Sequence, residues 1–290
     1  MRIALTGASG YIGSALNARL IQHGHEVLQC DLGWFGDKYL GAFQDADFAN
    51  VETVIHLAGH SSVLMSENDQ NGAWRNNVVG FKSLVDSLGP NQRLIYASSG
   101  SVYGNIGSPA KEVDAGLNVL KTYDMTKVIG DVIASNAIVQ GKKLVGLRFG
   151  TVNGISPNTR IDLMLNSMSF SAVKNSYIDV KNPTISRPIL LLDDLLQGVL
   201  SVLDSATSGI FNLSSQNVTV EQVAELIVKE TGCGIRYHEN DLHPYDFHLN
   251  CDLFESTFGS IATTTMEKTV DQLLRNVTSV RVGRRDHAGS

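Results

Sequence analysis

Short apolar runs alternate along the first half of this chain with longer stretches in which apolar residues recur every third or fourth position. Residues 3–5, 26–30, 51–57, 94–97 and 144–149 form the short runs. That is the pattern of buried strands. Between them, residues 11–24, 76–88 and 121–140 carry helical spacing; in the second, Val78, Phe81, Leu84, Val85 and Leu88 share one face. Strand and helix in alternation predict an α/β fold, a doubly wound parallel sheet.

From Thr151 the pattern changes. A loop at Asn153, Gly154, Pro157 and Asn158 leads to a helix over 162–173, a short strand at 177–180 and a turn at Asn182-Pro183. An apolar run at 188–192 precedes a helix to about residue 203, capped by Asp193 or Asp194. A strand at 209–213 and helices over 219–231 and 265–276 complete a mixed α/β region, and the basic tail 280–290 is expected to fray. No internal repeat is visible.

Composition narrows the function classes. With 290 residues, 43% of them hydrophobic and 18% charged, the chain suits one large domain or a domain with a smaller lobe. A net charge of -6 argues against a nucleic-acid partner, whose phosphates call for a basic face. No apolar run approaches the roughly 20 residues of a membrane span. Met1 leads straight into the first strand, which leaves no room for a signal peptide. Three widely spaced cysteines, Cys30, Cys233 and Cys251, suit a reducing cytoplasm, with neither a disulfide framework nor a metal site expected.

The opening stretch MRIALTGASGYIG is a strand, a glycine turn and a helix start, with Gly7, Gly10 and Gly13 at every third position. Such a turn offers free backbone N–H groups and a positive helix end to a pyrophosphate. Asp31 closes the second strand at about the ~20-residue offset where a carboxylate takes the adenine ribose hydroxyls. It would repel a 2′-phosphate, favouring NAD over NADP; a turn aspartate after a strand fits the same spacing. Asp45 or Asp47, in the irregular stretch 33–50, is placed to approach the adenine, and the small Ala58 and Gly59 let the cofactor lie against the backbone. His23 and His25 read as a solvated helix end, and His56 as a packed strand histidine.

Tyr123 and Lys127 lie one helical turn apart, hence on one face, and Ser99 ends a neighbouring strand. Tyrosine with its ordinary pKa near ~10 is a poor base at neutral pH. A lysine one turn away, with the positive nicotinamide ring, is expected to favour the phenolate. Ser99 would steady the oxygen of an alcohol losing hydride.

These residues bring the chain to a family. Residues 6–13 (TGASGYIG), 56–59 (HLAG), 77–80 (NVVG), 98–104 (SSGSVYG), 123–127 (YDMTK), 147–154 (LRFGTVNG), 187–194 (RPILLLDD) and 211–213 match motifs in order. The whole chain resembles the extended short-chain dehydrogenase/reductases, specifically the NAD-dependent epimerase/dehydratase group acting on nucleotide sugars. The resemblance implies a Rossmann domain over 1–154 with 188–213 and a substrate lobe over 155–187 with 214–290. It implies Tyr123 as base, Lys127 on the nicotinamide ribose, and Ser99 on the sugar oxygen. It also implies a cofactor site of Gly7, Gly10, Tyr11, Ile12, Gly13, Asp31, Leu57, Ala58, Gly59, Asn77 and Gly150. Asn166 and Arg187 stand where the family binds the nucleotide diphosphate, and the helices 76–88 and 121–140 where it forms a homodimer.

Departures from the family pattern bear on the reaction. Gly100-Ser101 stands where the family's 4,6-dehydratases have Asp-Glu, and Ser101 where its sugar-acid decarboxylases have Glu. Both chemistries need that carboxylate, which leaves oxidation and re-reduction at one carbon: epimerisation. A nucleotide-sugar reductase or dehydrogenase, and a dinucleotide-binding protein without catalysis, are the alternatives. On the nucleotide side Leu191 replaces a common histidine, residues 179–186 lack the usual glycine, and His243-Pro244-Tyr245 stands near an arginine-containing motif.

Overall fold

The computed structural model describes residues 1–31, 48–106, 109–116, 119, 121–240 and 245–277. Asp45, Asp47, His243, Pro244 and the tail 280–290 lie outside the described residues. Six strands form a parallel sheet: β1 (Arg2–Thr6), β2 (Glu26–Cys30), β3 (Thr53–His56), β4 (Arg93–Ser99), β5 (Lys143–Phe149) and, from later in the chain, β9 (Gly209–Leu213). Their order is β2-β1-β3-β4-β5-β9, and every neighbouring pair runs parallel.

The apolar runs become strands because both faces of this sheet are covered. Ile3, Leu5, Ile55, Ile95, Val145 and Leu147 point to one core, with α1 (Tyr11–Gln22) and α7 (Leu192–Leu203) packed on them through Leu16, Leu20, Leu195 and Val199. The alternate residues Ala4, Val54, Leu94, Tyr96 and Leu144 face a second core, which contains Leu84 and Val85 of α4 (Phe81–Ser87) and Ala134 of α5 (Thr122–Val139). A pleated strand sends successive side chains to opposite faces, so a continuous apolar run serves both cores.

Helical structure before α4 starts earlier than the expected 76–88. It comprises α2 (Val63–Asn68), α3 (Gln70–Trp74) and a π-helical stretch Arg75–Gly80 that runs into α4. Such widened turns are frequent at functional sites, because they re-aim side chains across the helix. Here the stretch carries the buried Asn77.

The later chain adds a sheet of β6 (Thr151–Asn153), β8 (Ser186–Leu191) and β10 (Gln216–Thr219), and a parallel pair of β7 (Tyr177–Val180) and β11 (Gly234–Tyr237). Its own core gathers Leu165 and Met168 of α6 (Met164–Asn175), Ile189, Val223 and Ile227 of α8 (Val220–Thr231), and Val270 and Leu273 of α10 (Met266–Asn276). Strand β8 joins the cores: Leu190 faces the first, Ile189 and Leu191 this one.

One capping expectation is corrected. The residue before α7 is Leu191, and neither Asp193 nor Asp194 caps it. Both sit inside the first turn, where they complement the helix dipole. Asp193 pairs with Arg19, and Asp194 accepts from the Ser215 hydroxyl and from Thr263 and Thr264.

Candidate active site

The strand order reverses between β1 and β3, and the crevice beyond the carboxyl ends of such strands is where open α/β sheets bind ligands. Gly7 leaves β1 with φ +70, its N–H bonded to the Cys30 carbonyl at 2.8 Å. A Cβ there would stand 2.9 Å from the Ala58 nitrogen, and one on Gly13 would run into the Gly7 carbonyl. Only glycine lets the turn close and α1 press against it. Gly10, the residue before α1, supplies no side-chain cap, and the first turn carries no acid. The amides at Tyr11, Ile12 and Gly13 therefore belong to a helix end suited to an anion, which fits the pyrophosphate of a dinucleotide.

Asp31 ends β2 beside this turn, its carboxylate accepting from the Ser9 N–H at 2.7 Å and from the Ser9 hydroxyl. Residues 154–160 close over the turn from the other side. Tyr11 donates to the Gly154 carbonyl at 3.0 Å, Ser156 donates to the Tyr11 carbonyl at 2.5 Å, and Asn158 donates to that of Ser9. On the adjacent strand, the Leu57 and Ala58 amides bond Thr6, whose hydroxyl also meets His56 Nδ1 at 2.8 Å. His56 is buried and stacked on Phe81, as a packed strand histidine should be.

Two asparagines are held by hydrogen bonds inside the protein. Asn77 is buried, accepting from the His60 N–H at 2.9 Å and donating to the His60 carbonyl and the Thr126 hydroxyl. Its amide ties the loop after β3 to α5, one residue before Lys127. Asn166 is fully buried. Its Oδ1 accepts from the Gly154 N–H at 2.9 Å, and its Nδ2 donates to the carbonyls of Gly154 and Arg160. It holds the 154–160 segment in place. Gly150 leaves β5 with its N–H on the Leu213 carbonyl at 2.9 Å.

Ser99, Tyr123 and Lys127 do come together. Ser99 ends β4, its hydroxyl 2.9 Å from that of Ser101, and its oxygen bonds the Tyr123 phenol. Lys127 Nζ donates to the Ala97 carbonyl at 2.8 Å and lies 5.7 Å from the centre of the Tyr123 ring. The expected lowering of the tyrosine is not found in the bare protein. Burial pushes Tyr123 up to about 12; the Ser99 bond opposes this, Asp124 adds to it and Arg160 works against it. Burial also pulls Lys127 down to about 8, against the pull of Asp131. Withdrawal from water is the largest effect on each group.

Arg187 on β8 opens onto a second region, a cleft of about 650 Å³ also lined by Asp162, Asp179, Lys181, Asn182 and His238. Its guanidinium lies 5.9 Å from the centre of the Tyr245 ring. Sequence reasoning passed over Lys181, His238, Arg160 and Asp124; only Asp124, directly after Tyr123, carried a signal in its position. Among the described residues no group of His, Cys, Asp and Glu could hold a metal ion, and no helix is long and apolar enough to cross a membrane.

The chain is 26% identical to UDP-glucuronate 4-epimerase 4 of Arabidopsis thaliana over 94% of its own length and 74% of that protein's. Across the UDP-glucuronate 4-epimerases of that plant it spans between 54% and 74% of their lengths. The solved NAD-dependent NDP-hexosamine 5,6-dehydratase TunA superposes with a TM-score of 0.86 at 20% identity, covering 98% of this chain and 99% of that one. UDP-glucuronic acid 4-epimerase from Bacillus cereus, solved with UDP-glucuronic acid and NAD, gives 0.83 at 18% identity, covering 96% and 99%. The family model described as NAD dependent epimerase/dehydratase family matches residues 3–214, and the chain belongs to that family.

Proposed function

We propose that this protein is an NAD-dependent epimerase of a nucleotide sugar, inverting one carbinol carbon by oxidation to a keto sugar and re-reduction from the opposite face. The observation that carries the reading is the set at the end of β4. Ser99, Tyr123 and Lys127 meet there, with Gly100-Ser101 where an elimination would use carboxylates. The residues of 1–154 with 188–213 form the cofactor half of this reading, those of 155–187 with 214–290 the substrate half.

The uncapped start of α1 would hold the pyrophosphate of NAD and Asp31 its adenine ribose, and NAD so held would supply the hydride acceptor and donor. Leu57, Ala58, Gly59 and Gly150 would line its path, and Lys127 would reach its nicotinamide ribose. Tyr123 takes the proton of the sugar hydroxyl and later returns it. Lys127, with the positive charge of a bound nicotinamide, would work against the burial that opposes the phenolate. Ser99 orients the reacting oxygen, and Arg187 meets the anionic diphosphate of the substrate.

Oxidation and return leave no net redox change, so turnover should proceed without added coenzyme. The test is incubation of the purified protein with a panel of UDP- and dTDP-sugars, following product stereochemistry and the absorbance of reduced nicotinamide. Inverted sugar without accumulated reduced cofactor supports the reading; stoichiometric consumption of reduced cofactor would make the protein a reductase. The exposed Leu64, Val79 and Val132 on α2, the π stretch and α5 support a homodimer built on these helices, and sedimentation tests it. The odd number and wide spacing of Cys30, Cys233 and Cys251 in the sequence support a reducing cytoplasm as its place.

A further inference from the structure

Tyr245 is the described residue of the His243-Pro244-Tyr245 departure, and it reaches two elements at once. Its hydroxyl donates to Asp124 Oδ2 at 2.6 Å, in the first turn of α5 directly after Tyr123. Its ring centre lies 5.9 Å from the guanidinium of Arg187 on β8. Asp124 is buried, and Ser101 and Lys121 face it as well, so the hydroxyl is anchored on a fixed point of the helix. A guanidinium within about 6 Å of a tyrosine ring is attracted to the negative face of that ring.

The strip 245–251 that carries Tyr245 is fastened in the same two directions. Toward the end of β4, the Asp246 N–H donates to Asn105 Oδ1 at 2.9 Å and the Ala110 N–H to the His248 carbonyl at 2.8 Å. Phe247 and Leu249 pack where a Cβ on Gly100 would stand. Toward the cleft, the Asp246 carboxylate accepts from the Ser186 N–H at 2.9 Å, one residue before Arg187. Asn217 of β10 exchanges two bonds with the Leu249 backbone, at 2.9 and 3.0 Å. An apolar side chain would serve packing alone. A phenol does more, because its two ends hold different partners: the hydroxyl holds α5 and the ring holds Arg187.

We propose that Tyr245, anchored on Asp124, is a positioning residue for Arg187: it holds the guanidinium at a set reach from the helix that bears Tyr123. The spacing between the anionic diphosphate of the substrate and the carbinol that reacts is thereby fixed by one side chain. This rests on the nucleotide-sugar reading, in which Arg187 meets the diphosphate. A free arginine gives up rotamer freedom when it takes an anion, whereas one already laid on a ring has less to lose. A ligand whose anion and hydroxyl stand at another distance cannot use both ends at once.

The test is a double-mutant cycle on the NAD-loaded protein, with UDP and dTDP as probes and calorimetry as the readout. Tyr245→Leu removes both ring and hydroxyl, and should weaken the nucleotide that wild type binds by about three- to thirtyfold, the range of a cation–π contact. In an Arg187→Gln background the same change should do almost nothing, because the group it positions is gone. Tyr245→Phe keeps the ring and loses only the anchor, so its affinity should fall between those of wild type and Tyr245→Leu. In turnover, KM should rise with the dissociation constant while kcat changes less. Equal weakening in both Arg187 backgrounds overturns the proposal, as does a Tyr245→Phe protein that matches wild type. A fall in kcat at unchanged KM overturns it too, since the effect would then lie at Tyr123. If neither probe binds any form, the nucleotide-sugar reading fails, and phenylglyoxal modification of Arg187, followed by peptide mass spectrometry, decides the positioning by itself. Faster modification in Tyr245→Leu than in wild type upholds it, and an equal rate overturns it.

Discussion

Lys127 donates to the Ala97 carbonyl, and that bond holds its ammonium 5.7 Å from the centre of the Tyr123 ring. One lysine thus fixes the helix that bears the tyrosine to the strand that bears Ser99. Because burial pulls it down to about 8, Lys127 is charged below that pH and loses its proton above it. Cofactor binding and turnover should therefore fall on the alkaline side near pH 8. Lys127→Arg keeps the cation at all accessible pH and should shift that limb upward, at some cost in geometry. The pH profile of kcat/KM for the two proteins checks this.

Tyr123→Phe removes the proton-transfer group and little else. Loss of a positioned acid–base catalyst costs on the order of 100- to 10,000-fold, and here the same hydroxyl serves both halves of the reaction. Turnover should drop at least that far while NAD still binds with nearly wild-type affinity. Cofactor titration by fluorescence beside product analysis separates the two effects.

The parallel sheet was legible from its short, largely apolar runs, and β2, β5 and β9 were read within a residue of their observed bounds. The amphipathic α8 was legible too, its Thr219 and Gln222 forming a capping box. Unread were β6, β10 and β11, strands of three or four residues that exist only through their pairing partners. The short α2 and α9 (Asp252–Phe258) have too few residues for a period to show. Among site residues, motif position located Asn77 and Asn166 but not the partners of their amides, which lie at His60, Thr126, Gly154 and Arg160. For Tyr123, counting neighbouring charges missed the larger effect of burial.

His56 makes a prediction about stability. Burial, with the Lys127 ammonium adding to it, pulls the imidazole down to about 3, so the folded protein keeps it neutral. The unfolded chain takes up that proton below about pH 6.5. Between these values only the unfolded state is protonated, so stability falls as pH drops, by about 1.4 kcal/mol per pH unit from this group. His56→Gln should be less stable at neutral pH, having lost the fit to Thr6, yet show a shallower decline toward acid. Urea unfolding of both proteins at about pH 7.5 and about pH 5 measures the difference in slope.

Asp31 connects the glycine turn to cofactor choice. In the structure its carboxylate accepts from the Ser9 N–H and hydroxyl, which aims it at the space beside the turn and braces the turn itself. An adenine ribose lying there would offer two hydroxyl donors to the same carboxylate, whereas a 2′-phosphate would meet its negative charge. Hydrogen bonds to a charged group contribute about 1.5–3 kcal/mol each. Loss of one such bond corresponds to roughly ten- to a hundredfold, so Asp31→Ala should weaken NAD by at least that much. It should bind NADP better than wild type does, because the repulsion disappears with the charge. Asp31→Asn separates the two contributions: it keeps an acceptor for Ser9 and the ribose and removes only the repulsion, so it should retain more NAD affinity than alanine while gaining on NADP. Dissociation constants of the two coenzymes for the three proteins check this. An unchanged NAD-to-NADP ratio would mean that Asp31 serves the turn alone.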